Sequence, residues 1–157
     1  MTEKLTFEEL LERDGQIAYT NKGVSMMPLL RQSRDVMLIS KKGQAGCKKL
    51  DAVLFRRPGP NGPDAYVMHR ILRVNGDGTY WIVGDNCMSG ETVREEQILG
   101  VLTGVVRSGK TIATDDWRYR LYVNTWCRCY PVRFALKKAR VFAGRCLRRL
   151  RGRGGQK

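Results

Sequence analysis

The chain has one histidine, no Cys-x-x-Cys pair, no long uncharged apolar run and, from position 117 onward, no acidic residue at all. Each absence excludes something. One histidine and cysteines scattered at 47, 87, 127, 129 and 146 do not supply the spaced ligands of a zinc site, so no metal is expected. An odd cysteine count reads as free thiols in a reducing compartment rather than as a disulfide framework. The N-terminus shows no charged start followed by an apolar run, so neither a signal peptide nor an N-terminal membrane span is expected.

What is present divides by charge. Residues 1–116 carry 16 Lys/Arg against 15 Asp/Glu, whereas residues 117–157 carry 13 Lys/Arg against none, so the tail holds nearly all of the net +14. At 157 residues, one domain with a core that stands without disulfides is the sensible expectation. Thr6-Phe7-Glu8-Glu9 has the form of a capping box, and the short acidic helix it opens should stop before Gly15.

Strand-like runs follow at 16–20, 35–40, 51–57, 65–74, 79–85 and 98–107, the last turning at Ser108-Gly109 into 110–114. Short strands at regular spacing with Gly-rich turns predict an antiparallel, mainly β barrel or sandwich. The Pro-rich loop 57–63 reads as a connector.

Three short pieces carry candidate chemistry: Gly23-Val24-Ser25-Met26-Met27-Pro28, Met68-His69-Arg70 and Gly84-Asp85-Asn86. A serine on a Gly-marked turn, the lone histidine and an aspartate on a turn are what a nucleophile, a base and an orienting acid require. If Gly76-Asp77-Gly78 is the loop of a hairpin, Asn75 pairs with Thr79, and an unbroken register sets His69 opposite Asp85. Directly opposed residues have Cβ atoms about 5 Å apart and share a face. A slip of one residue would separate them.

The order of these pieces resembles the signal peptidase branch of the S24/S26 serine peptidases, in the form with histidine where most bacterial members carry lysine. The resemblance covers residues 23–104. It implies a β domain of the signal peptidase/LexA-like type, with Ser25 as nucleophile, His69 as general base and Asp85 as orienting acid. Gly23, Met26 and Arg70 would give oxyanion or structural support, and no cofactor is implied. Two departures matter. Gly23 stands where members often have a serine that donates to the oxyanion, which predicts a slow enzyme. Glu91 stands where His-type members have a further aspartate, so the acid is either Asp85 or Glu91, the hairpin arithmetic favouring the former. The family also implies an extended peptide beside a strand edge, with small side chains near the scissile bond.

The tail, residues 115–157, divides at Pro131. Thr114 or Asp115 can cap an aromatic segment with Trp117 and Trp126. Beyond it, apolar residues repeat at helical spacing among Arg133, Lys137, Lys138, Arg140, Arg145, Arg148 and Arg149. Such a basic amphipathic helix suits an anionic membrane surface and cannot span a bilayer. A nucleic-acid partner is not expected, because the tail has no recognisable nucleic-acid fold. The expected protein is a serine endopeptidase, cytoplasmic and peripheral to the inner face of the membrane, that cleaves a leader or signal segment. The alternative is a non-catalytic peptide- and membrane-binding module that keeps the fold.

Overall fold

The structure is a computed structural model and describes residues 5–59 and 62–153. Two compact units are present, Met1–Tyr122 and Val123–Lys157, so the boundary falls inside the segment assigned to the tail from sequence.

The first unit opens with α1 (Phe7–Asp14). Thr6 caps it as its sequence predicts: the Glu9 amide donates to the Thr6 hydroxyl, and the Thr6 amide donates to Glu9. Gly15, at φ 71°, ends the helix in the left-handed conformation that a Cβ disfavours. Eight strands follow: β1 (Gln16–Thr20), β2 (Val36–Lys41), β3 (Ala52–Arg57), β4 (Ala65–Val74), β5 (Thr79–Val83), β6 (Gly90–Arg94), β7 (Ile98–Arg107) and β8 (Lys110–Ala113). All pair antiparallel in one sheet of order β1-β2-β7-β3-β4-β5-β6, with β8 on β7. The fold is therefore mainly antiparallel β, with a short N-terminal helix and C-terminal helices. Among the described residues the sheet is not closed by a pairing of β1 with β6, so it is not a hydrogen-bonded barrel.

Alternation along the strands builds the core. Val53 and Phe55 of β3, Ile71 of β4, Tyr80 and Ile82 of β5, Val93 of β6 and Ile98 of β7 pack as one buried cluster. Their burial supplies on the order of 2 kcal/mol for each large side chain, which fixes strand register as well as stability.

One register detail decides the site. In the β4–β5 hairpin Val74 pairs with Tyr80 and Arg73 with Trp81, as the loop arithmetic predicts, but Ile71 pairs with Ile82 and Arg70 with Val83. Leu72 is an extra residue, a bulge, and everything before it is displaced by one. The expectation that His69 faces Asp85 is thereby corrected. The displacement keeps Ile71 and Ile82 together in the core, which an unbroken register would not.

α2 (Trp117–Tyr122) closes the first unit. The Arg118 amide bonds to Asp116 Oδ1 at 2.8 Å, so Asp116, not Thr114 or Asp115, serves its first turn. The second unit holds a π-helical turn, Val123–Cys127, and α3 (Tyr130–Arg153), which begins at the Pro131 division. No described helix is long and apolar enough to cross a membrane.

Candidate functional site

Ser25 lies half-buried in the loop between β1 and β2. Three sets of bonds hold that loop. Asn21 Nδ2 donates to the Gly23 carbonyl at 2.7 Å, and the Asn86 amide donates to the Ser25 carbonyl at 2.7 Å. Further on, the Arg31 amide donates to Asp35, and Arg107 binds both Asp35 and the Leu29 carbonyl. Met26 is 1% exposed and anchors the turn in the interior. The Gly84-Asp85-Asn86 turn thus touches the serine loop directly.

His69 sits on β4 opposite Val53, on the face that carries Val67 and Ile71 toward the core. Its ring centroid is 6.0 Å from that of Phe55. A Cβ added to Gly84 would lie 2.9 Å from His69 Nε2, 2.8 Å from the Ser25 carbonyl oxygen and 2.7 Å from Cys87 Sγ. The missing side chain at Gly84 is what lets the imidazole edge and the serine loop meet there.

Behind the imidazole stands Glu91. It is opposite Ile82 on β6, and its Oε1 is 3.7 Å from His69 Nδ1, which is buried and has no hydrogen-bond partner among the described residues. The distance exceeds a hydrogen bond. Arg57, at the end of β3, grips Glu91: its Nε donates to Oε2 at 2.8 Å and its Nη2 donates to Oε1. Burial pushes the His69 pKa below the ordinary histidine value; Glu91 opposes that shift and Arg57 adds to it. A neutral imidazole can accept a proton at neutral pH.

Asp85 is engaged elsewhere. Arg70, fully buried, donates Nε to Oδ1 and Nη2 to Oδ2, both at 2.8 Å, and Tyr122 donates its hydroxyl to Oδ2 at 2.8 Å. Arg70 Nη1 also reaches the Leu50 carbonyl at 2.7 Å and the Tyr119 hydroxyl at 3.2 Å. Such a bidentate pair commits the carboxylate to the guanidinium. The structure therefore sets the Ser25 backbone carbonyl and His69 Nε2 beside Gly84, with Glu91 on the other side of the imidazole, and separates Asp85 into a buried pair with Arg70.

An apolar cleft of about 400 Å³ opens onto Ser25 and Gly23. Met37, Leu54 and Met68 line it below, with Phe7, Tyr19 and Tyr66 around them. Phe7 packs edge-on against Tyr19 and Tyr66 at 4.9 and 4.8 Å, and Tyr66 donates its hydroxyl to Glu8 at 2.7 Å. At Gly23 an added Cβ would have only Ser25 Oγ within 4 Å, so there is open room beside the serine.

Sequence reasoning did not find Arg57, Cys87, Tyr119 or Tyr122 as neighbours of these groups. Only the register and the return of α2 bring them there. In the tail, Trp117 is 66% and Trp126 38% exposed, and Lys138, Arg140 and Arg145 are exposed. Arg133 stacks on Trp126 at 3.9 Å. The side chains of Lys137, Arg148 and Arg149 lie outside the described residues. Among the described residues no cluster of His, Cys, Asp and Glu could hold a metal ion. No protein-family model matches the chain, and no curated protein matches it significantly.

Proposed function

We propose that the protein is a serine endopeptidase of signal-peptidase type that removes a leader or signal segment from a peptide at a membrane surface. The observation that carries this reading is the convergence of the serine loop and His69 Nε2 on Gly84, with a carboxylate at His69 Nδ1. Ser25 Oγ attacks the scissile carbonyl while His69 Nε2 takes its proton. Glu91 stabilises the imidazolium through Nδ1–H, and Arg57 holds Glu91 in place. The imidazolium then protonates the leaving amine, and water, deprotonated by His69, hydrolyses the Ser25 ester to free the carboxylate product and the enzyme.

Trp117 and Leu121 on α2 are exposed, as are Trp126, Val132, Leu136 and Phe142 of the second unit, amid a tail without acidic residues. Apolar and aromatic side chains beside basic ones favour an anionic lipid surface, at roughly 1 kcal/mol per basic residue, and this supports a peripheral association with the inner face of the membrane. Intact-mass analysis of peptides incubated with wild type, Ser25→Ala and His69→Ala tests the chemistry, and sedimentation with anionic and with neutral vesicles tests the surface. Cleavage that survives both substitutions refutes the assignment; equal sedimentation with anionic and neutral vesicles refutes the surface. Gly23 favours a second reading, a peptide-binding module without turnover, since no side-chain oxyanion donor stands there. That module would keep its activity after Ser25→Ala.

A further inference from the structure

The cleft beside Ser25 is larger and greasier than the small side chains expected near a scissile bond would need. Its walls are long apolar or aromatic groups: Met37, Leu54 and Met68 are 3%, 3% and 6% exposed and form a closed floor. The volume, about 400 Å³, lies within the range of about 300–1,000 Å³ typical of sites that enclose whole ligands. Among the described residues Lys22 is the only charged one that lines it, exposed at the rim with its Nζ 5.7 Å from the Tyr19 ring centroid. Filled by alanines alone, such a floor would stay wet or empty, and neither state is favourable for apolar walls.

From this we infer that the cleft takes an extended peptide with a bulky apolar side chain, Leu, Met or Phe, close to the scissile bond, and disfavours a basic residue beside it. The inference rests on the peptidase reading for the position of that bond. The apolar side chain replaces water over Met37, Leu54 and Met68, while Lys22 repels a cation at the rim and attracts a carboxylate. The substrates are then leader segments whose cut lies within an apolar stretch flanked by acidic or neutral residues.

Binding and cleavage are separable. The probe is a set of fluorescent peptides of Ala, Ser and Gly in which one Leu, Met or Phe is walked along the chain, each with Glu or Lys as a neighbour. They are titrated against full-length Ser25→Ala by anisotropy and incubated with wild type for mass analysis. In at least one register the bulky residue should tighten binding about tenfold or more over alanine. Met68→Trp, which fills the floor, should erase that gain, with circular dichroism reporting whether the variant folds. Lys22→Glu, on the exposed rim, should invert the Glu-over-Lys preference. Equal binding of all-small and bulky peptides overturns the inference, as does preferential cleavage of all-small peptides by wild type, an outcome that leaves the peptidase reading intact. Tight binding of bulky peptides to Ser25→Ala with no cleavage by wild type supports the inference and counts against the peptidase reading.

Discussion

Asp85→Asn and Glu91→Gln should separate stability from activity in opposite directions. Asp85 faces Arg70, a guanidinium with no solvent exposure. Asparagine keeps the shape but removes the charge, and it turns an amide donor toward Arg70 or Tyr122. Removing one partner of a buried ion pair costs about 3–5 kcal/mol, because the surviving charge stays desolvated. In a unit of this size that lowers the melting temperature by roughly 10–20 °C.

Glu91 is different. Its pair with Arg57 is partly exposed, at 42% and 30% for the two side chains, so its loss costs about 0–1 kcal/mol of stability. Its effect on His69 is electrostatic. At 3.7 Å and an effective dielectric constant of about 20, a carboxylate and an imidazolium attract by roughly 4 kcal/mol. Solvent around Glu91 and the opposing charge of Arg57 reduce this to about 1–2 kcal/mol in the transition state, a tenfold or somewhat larger loss of kcat/KM. Thermal unfolding followed by circular dichroism, with peptidase assays on the same samples below the melting transition, reads both quantities. An Asp85→Asn protein that melts within a few degrees of wild type yet loses most of its activity would refute the assignment, since Asp85 would then be serving the histidine.

Three further outcomes follow from the same geometry. With His69 held below the ordinary histidine pKa by burial, the acid limb of the kcat/KM profile should lie below about 6.5, and Glu91→Gln, which removes the larger of the two carboxylate charges that raise that pKa, should move it lower still. The sign for stability is the same: the unfolded chain binds the proton first, so His69's contribution is complete above about 6.5 and is lost as pH falls toward the folded pKa, visible as the difference between wild type and His69→Gln in urea titrations at several pH values. Gly84→Ala should cost about a hundredfold in activity, since its Cβ would press on the Ser25 carbonyl and on His69 Nε2, while the fold survives with about 1–3 kcal/mol lost; unchanged steady-state kinetics would show that the two groups do not work together. Gly23→Ser fills open room next to Ser25 Oγ and supplies a donor near the oxyanion, so kcat should rise, up to about a hundredfold, in single-turnover assays; a fall would place the oxyanion elsewhere.

Much of this architecture is legible in local sequence. Thr6 and Glu9 announce α1, Gly15 stops it, and the β-branched runs of β1 to β5, β7 and β8 stand close to where their patterns put them. Such signals are local, and local chemistry enforces them. β6 escaped because Gly-Glu-Thr-Val-Arg has one buried residue, Val93, and gets its strand conformation from pairing with β5. Closure of the sheet was equally out of reach, since whether β1 meets β6 depends on twist and curvature summed over every strand.

The bulge at Leu72 is the hardest feature to read and the most consequential, yet charge accounting points toward it. Residues 69 and 70 are adjacent on one strand, so their side chains leave on opposite faces, and both prove to be buried. An unbroken hairpin gives Asp85 to His69 and leaves Arg70 opposite Gly84, a buried cation with no carboxylate across from it. A neutral imidazole can tolerate a distant acid; a buried guanidinium cannot go without one, because it stays charged at every physiological pH and its desolvation costs several kcal/mol. The one-residue shift gives the guanidinium its carboxylate and leaves the imidazole near another. It turns Asp85 to the face of Arg70 and leaves His69 to look past the bare backbone of Gly84 to Glu91 on the next strand. Which carboxylate stands nearest the imidazole is therefore set by the needs of the arginine beside it.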